Sequence, residues 1–234
     1  MVTRSNQYGQ SIGPPMDDWS ARPRPPRTDM TGRYCRLEPV DVERHTADLI
    51  AAYTAAPDDR DWTYLSVERP RSPEEYRSYL AKLRQSEDPL HFVIVDTGIA
   101  KAVGTAAFMR IEPTHGVIEV GAITFSPLLK KTRAATEAMF LMMRRAFDEL
   151  GYRRYEWKCD SLHVTSRSAA QRYGFTFEGI FRNAIVYKGR SRDTAWHSIT
   201  AQEWPRIRDA FQAWLDPANF DAQGIQKRPL QART

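Results

Sequence analysis

The chain has 234 residues and a formal net charge of +5, and 41% of its residues are hydrophobic. Six tryptophans and ten phenylalanines supply enough apolar surface for a packed core, which excludes an intrinsically disordered chain. No apolar run reaches the roughly 18 residues that span a bilayer, and no secretory signal follows Arg4, so we expect neither a membrane protein nor a secreted one.

The positive charge is concentrated at the two ends of the chain. Residues 1–28 hold four arginines against two aspartates, and residues 216–234 hold three basic residues against two acidic ones. A protein that binds a nucleic-acid duplex usually carries its positive charge on one folded face. Nucleic-acid binding is therefore disfavoured, and the N-terminal arm is its one candidate site.

The cysteine content predicts a reducing compartment. Cys35 and Cys159 are the two cysteines of the sequence, and two such residues do not make a disulfide framework. No spacing of cysteine and histidine resembles a zinc site. We therefore expect a cytoplasmic protein without a metal.

The sequence divides into an arm, one domain and a tail. Residues 1–31 are rich in Pro, Arg, Ser and Gln, which predicts an extended or disordered arm with Trp19 as its docking candidate. Residues 32–215 carry the periodic apolar patterns of a single folded domain. A polar tail, residues 216–234, ends the chain.

The domain is predicted to open with a strand and two helices. The strand covers Arg33 to Glu38, and Asp41 is a suitable N-cap for the first helix. Ser72, followed by Pro and two Glu, predicts the start of the second helix. The loop between them carries Trp62 and Tyr64. These aromatic residues either line the mouth of a substrate pocket or anchor the core, and the pattern leaves both interpretations open.

Three strands in a meander are predicted next. They cover Leu90–Val95, Ala102–Ile111 and Val117–Phe125, and the short turns between them indicate antiparallel pairing. After Phe125 comes a basic turn, Lys130-Lys131-Thr132-Arg133, and then a helical pattern that ends at Gly151. A helix N-terminus exposes free N–H groups and the positive end of the helix dipole, so this turn is a candidate anion site. The alternative is an ordinary solvated connection.

The second half alternates short elements. We expect a strand at Arg153–Cys159, a helix at Val164–Tyr173, strands at about Thr176–Val186 and Asp193–Ile199, and a last helix containing Trp204 and Trp214. This order predicts an α/β (α+β) domain. Its sheet is mixed and mostly antiparallel, with about seven strands, helices covering it and one crossover through the long central helix.

The order of elements resembles that of the GNAT family of acetyl-CoA-dependent N-acetyltransferases. Four features in the second half are similar to the RimJ/RimL branch of that family: His163-Val-Thr-Ser166, Gly174-Phe175, Glu178-Gly179 and Asp193. The similarity covers roughly residues 32–201. It implies a GNAT fold with helices on both faces of the sheet, and acetyl-CoA as co-substrate.

The resemblance also assigns candidate site residues. Cofactor contacts are implied for Ile123, Phe125, Lys130, Lys131, Thr132, Arg133, Ala134, Ala135, Thr136 and His163. Ser166 is implied as the group that protonates the leaving thiolate. Glu119 and Glu178 are candidate general bases, although a strand glutamate is as often a surface residue. Trp62 and Tyr64 become candidates for the acceptor pocket.

Two departures from the family pattern stand out. The phosphate loop of the family contains glycine, which lets backbone N–H groups approach phosphate closely, but here Arg133 and Ala135 occupy the glycine positions. Ala170 stands where many members place a catalytic Tyr, and His163 replaces an Asn that holds the pantetheine arm. For Ser166 and His163, the alternative is a helix-cap hydroxyl and a surface histidine.

The leading hypothesis is an N-acetyltransferase that moves an acetyl group directly to a primary amine of a small molecule or a peptide N-terminus. The rival hypothesis is a catalytically silent GNAT-like module that binds acyl-CoA or a partner. Since members of this branch often pair, a homodimer is a further expectation. We expect no membrane partner.

Overall fold

The computed structural model describes residues 4–232, so the first three residues of the predicted arm and the last two of the tail lie outside the described residues. The strands are β1 Arg4–Ser5, β2 Ser11–Ile12, β3 Met30–Thr31, β4 Cys35–Pro39, β5 Leu90–Asp96, β6 Lys101–Glu112, β7 Val117–Phe125, β8 Arg154–Asp160, β9 Thr176–Tyr187 and β10 Arg190–Thr200. The helices are α1 Val42–Thr54, α2 Pro73–Gln85, α3 Arg133–Arg144, α4 Val164–Arg172 and α5 Trp204–Leu215. Shorter helical segments cover Arg60–Trp62, Arg145–Glu149 and Pro217–Asn219.

One eight-stranded sheet organises the domain, in the order β3-β4-β5-β6-β7-β8-β10-β9. Among the described strands, β7 and β8 alone pair in parallel, and α3 makes the crossover between them. The predicted mixed, mostly antiparallel α/β sheet is therefore confirmed. The eighth strand is the two-residue β3, which is too short to show a periodic pattern. A separate exposed hairpin joins β1 and β2.

Helices cover both faces of the sheet, as expected. Successive residues of a strand point to opposite faces. On β5, Phe92 and Ile94 join the core that contains α3 and α5, whereas Val93 and Val95 join the core that contains α1 and α2. Both cores contain several aromatic side chains, and the second contains Trp62 in addition to residues of its helices.

Local capping residues explain where the helices begin and end. The Asp41 side chain accepts a hydrogen bond from the Arg44 amide (3.0 Å), and the Ser72 hydroxyl accepts one from the Glu75 amide (3.2 Å). Each bond satisfies an N–H group that the helix itself leaves unpaired. After the segment Arg145–Glu149, Gly151 takes a φ of 70°, which ends the helical run.

Strands β7 and β8 part halfway along their length. They pair only from Val117 to Val120 on β7, and the remainder of β7 has no partner on the β8 side. Between its pairings with β6, β7 carries one extra residue, and Ala122 there has a φ of 48°. This bulge bends the strand away from its neighbour and opens the sheet on one side of Ile123.

The N-terminal arm crosses the body of the domain as an extended chain. The Trp19 indole donates to the carbonyl oxygen of Thr114 (2.8 Å), the Tyr152 hydroxyl donates to that of Pro23 (3.2 Å), and Arg145 donates to that of Asp29 (2.8 Å). The docking role predicted for Trp19 is therefore confirmed. Within the described residues, no helix is long and apolar enough to cross a membrane.

Candidate active site

A cleft of about 1840 Å³ opens where β7 and β8 part. Its walls come from the unpaired half of β7, the first turn of α3, the start of α4, the loop after α1 and the strands β8 to β10. The predicted site residues that line it are Tyr64, Glu119, Ile123, Phe125, Lys130, Lys131, Thr132, Arg133, Ala134, Ala135, Thr136, His163 and Ser166. Trp62 and Glu178 are the exceptions.

The turn before α3 is built without glycine. Thr132 is the N-cap, since its hydroxyl accepts from the Ala135 amide (3.1 Å) and donates to the carbonyl oxygen of Leu129 (2.7 Å). Lys131 takes the left-handed backbone conformation with a φ of 62°, which costs a residue other than glycine roughly 1 kcal/mol. Helix geometry leaves the amides of Arg133 and Ala134 without an intrahelical partner. The turn therefore presents free donors and positive charge to an anion.

Cations surround this turn, and several of them have no carboxylate partner. Among the described residues, no Asp or Glu lies within ion-pairing distance of Lys131, Arg133 or Arg172. The Arg133 guanidinium lies over the rings of Tyr34 (4.7 Å) and Phe220 (4.9 Å). Arg172 donates to the Thr136 hydroxyl (3.2 Å) and lies over the Trp214 ring. This end of the cleft is suited to phosphate groups.

Lys130 differs from its neighbours because it is neutralised. It forms an ion pair with Asp61, in the loop after α1. This pair ties the basic turn to the loop that carries Tyr64. Lys130 therefore contributes more to the shape of the cleft than to its positive potential.

His163 joins two walls of the cleft. Its imidazole stacks on the Tyr64 ring at a centroid distance of 4.2 Å and an interplanar angle of 15°. His163 is half-buried, and it does not cap α4 with its side chain. Burial lowers the pKa of this histidine, and the nearby Asp160 opposes that shift only in part. A lowered pKa favours the neutral ring, which can donate or accept one hydrogen bond.

Ser166 points its hydroxyl towards β8. The indole of Trp157 donates to the Ser166 oxygen at 3.0 Å, and the Ser166 hydroxyl lies within hydrogen-bonding reach of the Cys159 sulfur. The alternative of a helix-cap hydroxyl is therefore wrong, since His163 holds the cap position. Burial raises the pKa of the neighbouring Cys159 thiol, although Ser166 opposes the shift. A thiol held in this protonated form is a poor nucleophile.

Glu119 lies inside the cleft wall and is 4% exposed. Its carboxylate meets two cations, Arg110 at 3.0 Å and Lys158 at 3.1 Å. Burial raises the pKa of Glu119, the two cations lower it, and Glu156 raises it again. The net direction is upward, which brings the carboxylate closer to the range of a useful general base.

Two predicted site residues lie elsewhere. Trp62 is 3% exposed and packs edge-on against Tyr53 in the core below α1 and α2, so it does not contact the cleft. Glu178 also lies outside the cleft: it pairs with Arg154 and accepts from Ser198 (2.7 Å). Its hydrogen bonds with Arg154 lower the pKa of Glu178, which makes it a weaker base.

Several cleft residues escaped the sequence reasoning. Lys158, Trp196 and Phe181 line the end remote from the basic turn, and Arg172 lines the end near it. One signal was available for Lys158. The alternation of β8 places it on the same face as Glu156, and its ammonium is indeed 2.6 Å from that carboxylate. The others come from distant strands, and no local pattern points to them.

In the part of the chain that the structure describes, no group of three or more His, Cys, Asp or Glu side chains is placed to hold a metal ion. Cys35 and Cys159 are both free and buried. The site is therefore best described by its ion pairs, its unpaired strand edge and its basic turn.

Comparison with known proteins agrees with this geometry. A family described as "Acetyltransferase (GNAT) domain" matches residues 35–176. A crystal structure described as a GCN5-related N-acetyltransferase from Brucella melitensis is 47% identical, with a TM-score of 0.90, and the alignment covers 92% of this chain and 98% of that one. A probable GNAT-family acetyltransferase from Chromobacterium violaceum is 36% identical, with a TM-score of 0.76 and coverage of 83% and 96%.

A more distant structure shares the fold alone. It is that of the microcin C7 self-immunity acetyltransferase MccE in complex with acetyl-CoA and AMP, at 18% identity, a TM-score of 0.60 and coverage of 72% and 93%. No functionally curated protein matches the sequence.

Proposed function

Because the chain belongs to the GNAT acetyltransferase family, we propose that it transfers the acetyl group of acetyl-CoA directly to a primary amine. The acceptor is a small molecule or a peptide N-terminus. One observation carries the proposal: the strands β7 and β8 part beside a basic helix N-terminus, and the resulting cleft contains both Glu119 and Ser166. The RimJ/RimL branch rests on the motif from His163 to Phe175 and is part of this proposal.

The cationic end of the cleft fits the phosphates of coenzyme A. Lys131, Arg133 and Arg172 would hold them, together with the free amides at the start of α3. Ile123 and Phe125 are half-buried along the unpaired edge of β7, where they would contact the pantetheine arm. Acetyl-CoA, when bound, supplies an acetyl group activated as a thioester.

Glu119 has the position of the general base. An amine attacks only in its neutral form, so a proton must leave the acceptor's ammonium group. A buried carboxylate with a raised pKa accepts that proton directly or through a water molecule. Lys158 and Arg110 keep Glu119 ionised enough to do so.

Ser166 has the position of the proton donor. Trp157 donates to the Ser166 oxygen, so the hydroxyl donates its hydrogen to another acceptor, and the departing sulfur would take the place of the Cys159 sulfur in that role. The negative charge that develops on the thioester oxygen needs an N–H donor, and the unpaired edge of β7 offers backbone N–H groups near Ile123.

The test measures binding and turnover separately. Calorimetry with acetyl-CoA measures the first, and release of free thiol with a panel of amines measures the second. We expect Ser166→Ala to lower kcat by about 100-fold, the scale of one acid–base group. Ser168→Ala is the matched control, since Ser168 is exposed on the same helix outside the cleft. Failure to bind acetyl-CoA refutes the proposal.

One observation favours the silent-module rival: Lys131 takes a conformation that glycine adopts without strain. Under that alternative, acetyl-CoA binds but no amine is acetylated, and Ser166→Ala changes nothing. The two measurements together therefore separate the enzyme from the module.

A further inference from the structure

The end of the cleft remote from the basic turn restricts which amines fit. Resting on the proposed function, we infer that the acceptor carries its amine on an apolar or aromatic body and that the reacting ammonium is its only positive charge. Polyamines and aminoglycoside-like polycations are then excluded. Three independent features of the cleft lead to this substrate class.

The first feature is that every carboxylate lining the cleft is already engaged. Asp61 pairs with Lys130, and Glu119 pairs with Arg110 and Lys158. Asp160 accepts from the Tyr187 hydroxyl (2.8 Å) and the Leu162 amide (2.9 Å), and Asp96 accepts from the Gly98 amide (2.7 Å) in a turn. Glu119 and Asp61 are thus neutralised by cations, whereas Asp160 and Asp96 accept from neutral donors only. A second ammonium on the acceptor therefore finds no unpaired carboxylate at Glu119, where the reaction would take place.

The second feature is the pair of cations that flank Glu119. Arg110 lies 3.0 Å from the Glu119 carboxylate and has a side chain that is 52% exposed. Lys158 is buried, 3.1 Å from Glu119 and 2.6 Å from Glu156. A second ammonium on the acceptor would face these like charges, whereas a neutral or acidic substituent would not.

The third feature is an exposed aromatic wall. Phe181 is 55% exposed, its ring centroid lies 4.4 Å from that of Trp196, and Ile185 lines the cleft on the same strand. Aromatic walls can also bind cations, but the Trp196 ring already has the Lys158 ammonium 3.7 Å from its centroid. The wall is therefore left to make apolar contacts.

Matched amines test charge and apolar body separately. We expect a kcat/KM for 2-phenylethylamine at least 10-fold above that for 4-(2-aminoethyl)benzylamine, which has the same ring and a second ammonium. Ethanolamine keeps the single charge without the ring and should be at least 10-fold poorer as well. A short peptide that begins with Phe, compared with one that begins with Lys, distinguishes a peptide source from a small molecule.

A variant pair locates the wall. Phe181→Ala should raise the KM for 2-phenylethylamine several-fold, whereas Phe177→Ala should not. Phe177 is exposed on the same strand, but it packs against His197 outside the cleft. Thermal melting checks that both variants fold. Equal KM values for the two variants would contradict the assignment.

The outcomes separate this inference from the proposed function. If acetyl-CoA binds and spermidine or the diamine is acetylated as fast as 2-phenylethylamine, the substrate class is wrong and the acetyltransferase stands. If acetyl-CoA does not bind, or binds without acetylation of any amine, the proposed function fails and the inference fails with it.

Discussion

The two ends of the cleft are built by different rules. At the end beside the basic turn, the candidate site residues follow one another along the turn Lys130–Arg133 and the first turn of α3, and Lys131 and Arg133 have no carboxylate partner in the described chain. At the opposite end, Glu119, Lys158 and Trp196 come from three strands, and the two charged groups among them are paired. The end beside the basic turn has unpaired cations that can bind an anion, whereas most charged groups around Glu119 are paired within the protein.

The two ends therefore act on a ligand through different electrostatic interactions, one over a long range and the other over a short range. A helix N-terminus with nearby cations attracts phosphate at some distance, so its effect is a matter of potential and is screened by salt. A buried ion pair acts over a few ångströms and responds to the loss of either partner. We therefore expect substitutions at the two ends to affect different measurements.

The largest effect is expected at Glu119. Glu119→Gln removes the proton acceptor and should lower kcat/KM by 100-fold or more, as is typical of a lost general base, roughly 10²–10⁴-fold. The dissociation constant of acetyl-CoA should stay within about twofold, since that end of the cleft is untouched. Steady-state kinetics and calorimetry provide the two numbers. Glu112→Gln, on the exposed end of β6, is the control. Full activity of Glu119→Gln would show that Glu119 is not the general base.

Arg172 should show the opposite pattern. Arg172→Gln deletes a cation without a carboxylate partner and should weaken acetyl-CoA binding about tenfold, the effect of one hydrogen bond with a charged group. The weakening should shrink at high salt, and the KM of the amine should not change. Calorimetry at two ionic strengths measures it, and Arg182→Gln, exposed on β9, is the control. A change confined to the amine KM would contradict the division of the cleft.

Lys158 should control the pH dependence. Burial raises the pKa of Glu119, and Lys158 and Arg110 oppose that rise, while Glu156 adds to it. Lys158→Met removes one opposing charge, so the pKa of Glu119 rises further and the base stays protonated up to a higher pH. The acid limb of the kcat/KM profile should therefore move to higher pH.

The control for this shift is Lys101→Met, which removes an exposed lysine that pairs with Asp48 outside the cleft. Its pH profile should overlay that of the unmodified protein. An acid limb that stays in place in Lys158→Met would mean that Glu119 is not the group that titrates.

The smallest effect is expected at the cap of α3. Thr132→Ala removes the side-chain acceptor for the Ala135 amide and should lower the free energy of unfolding by about 1 kcal/mol. For a domain of this size, Tm should fall by roughly 2–4 °C. Differential scanning calorimetry measures this, with Ser168→Ala as the control. An unchanged Tm would show that the hydroxyl does not stabilise the turn.

The same local and non-local division explains what the sequence could predict. The strands, the caps at Asp41 and Ser72 and the crossover helix follow from short-range periodicity and turn chemistry, and they lie within a few residues of the predicted positions. The basic turn could be predicted for the same reason, because its site residues are adjacent in the sequence.

The residues at the end of the cleft near Glu119 could not be predicted from the sequence in this way. Trp62 and Tyr64 are two residues apart in one loop, yet one packs in the core and the other stacks on His163 at the cleft. Only the three-dimensional course of the loop decides between them. Lys158 and Phe181 likewise acquire their roles from the pairing of β8, β10 and β9, which brings residues distant in sequence together.

The bulge at Ala122 has a consequence for the stability of the whole protein. An unpaired strand edge is normally a hazard, because its free N–H and C=O groups can pair with another chain. Here the edge lies inside a cleft that acetyl-CoA would occupy, so the ligand takes the place of the missing neighbour. A molecule that binds only the folded state stabilises it by mass action. The resistance of this fold to unfolding and proteolysis would thus rise and fall with the supply of its own acyl donor.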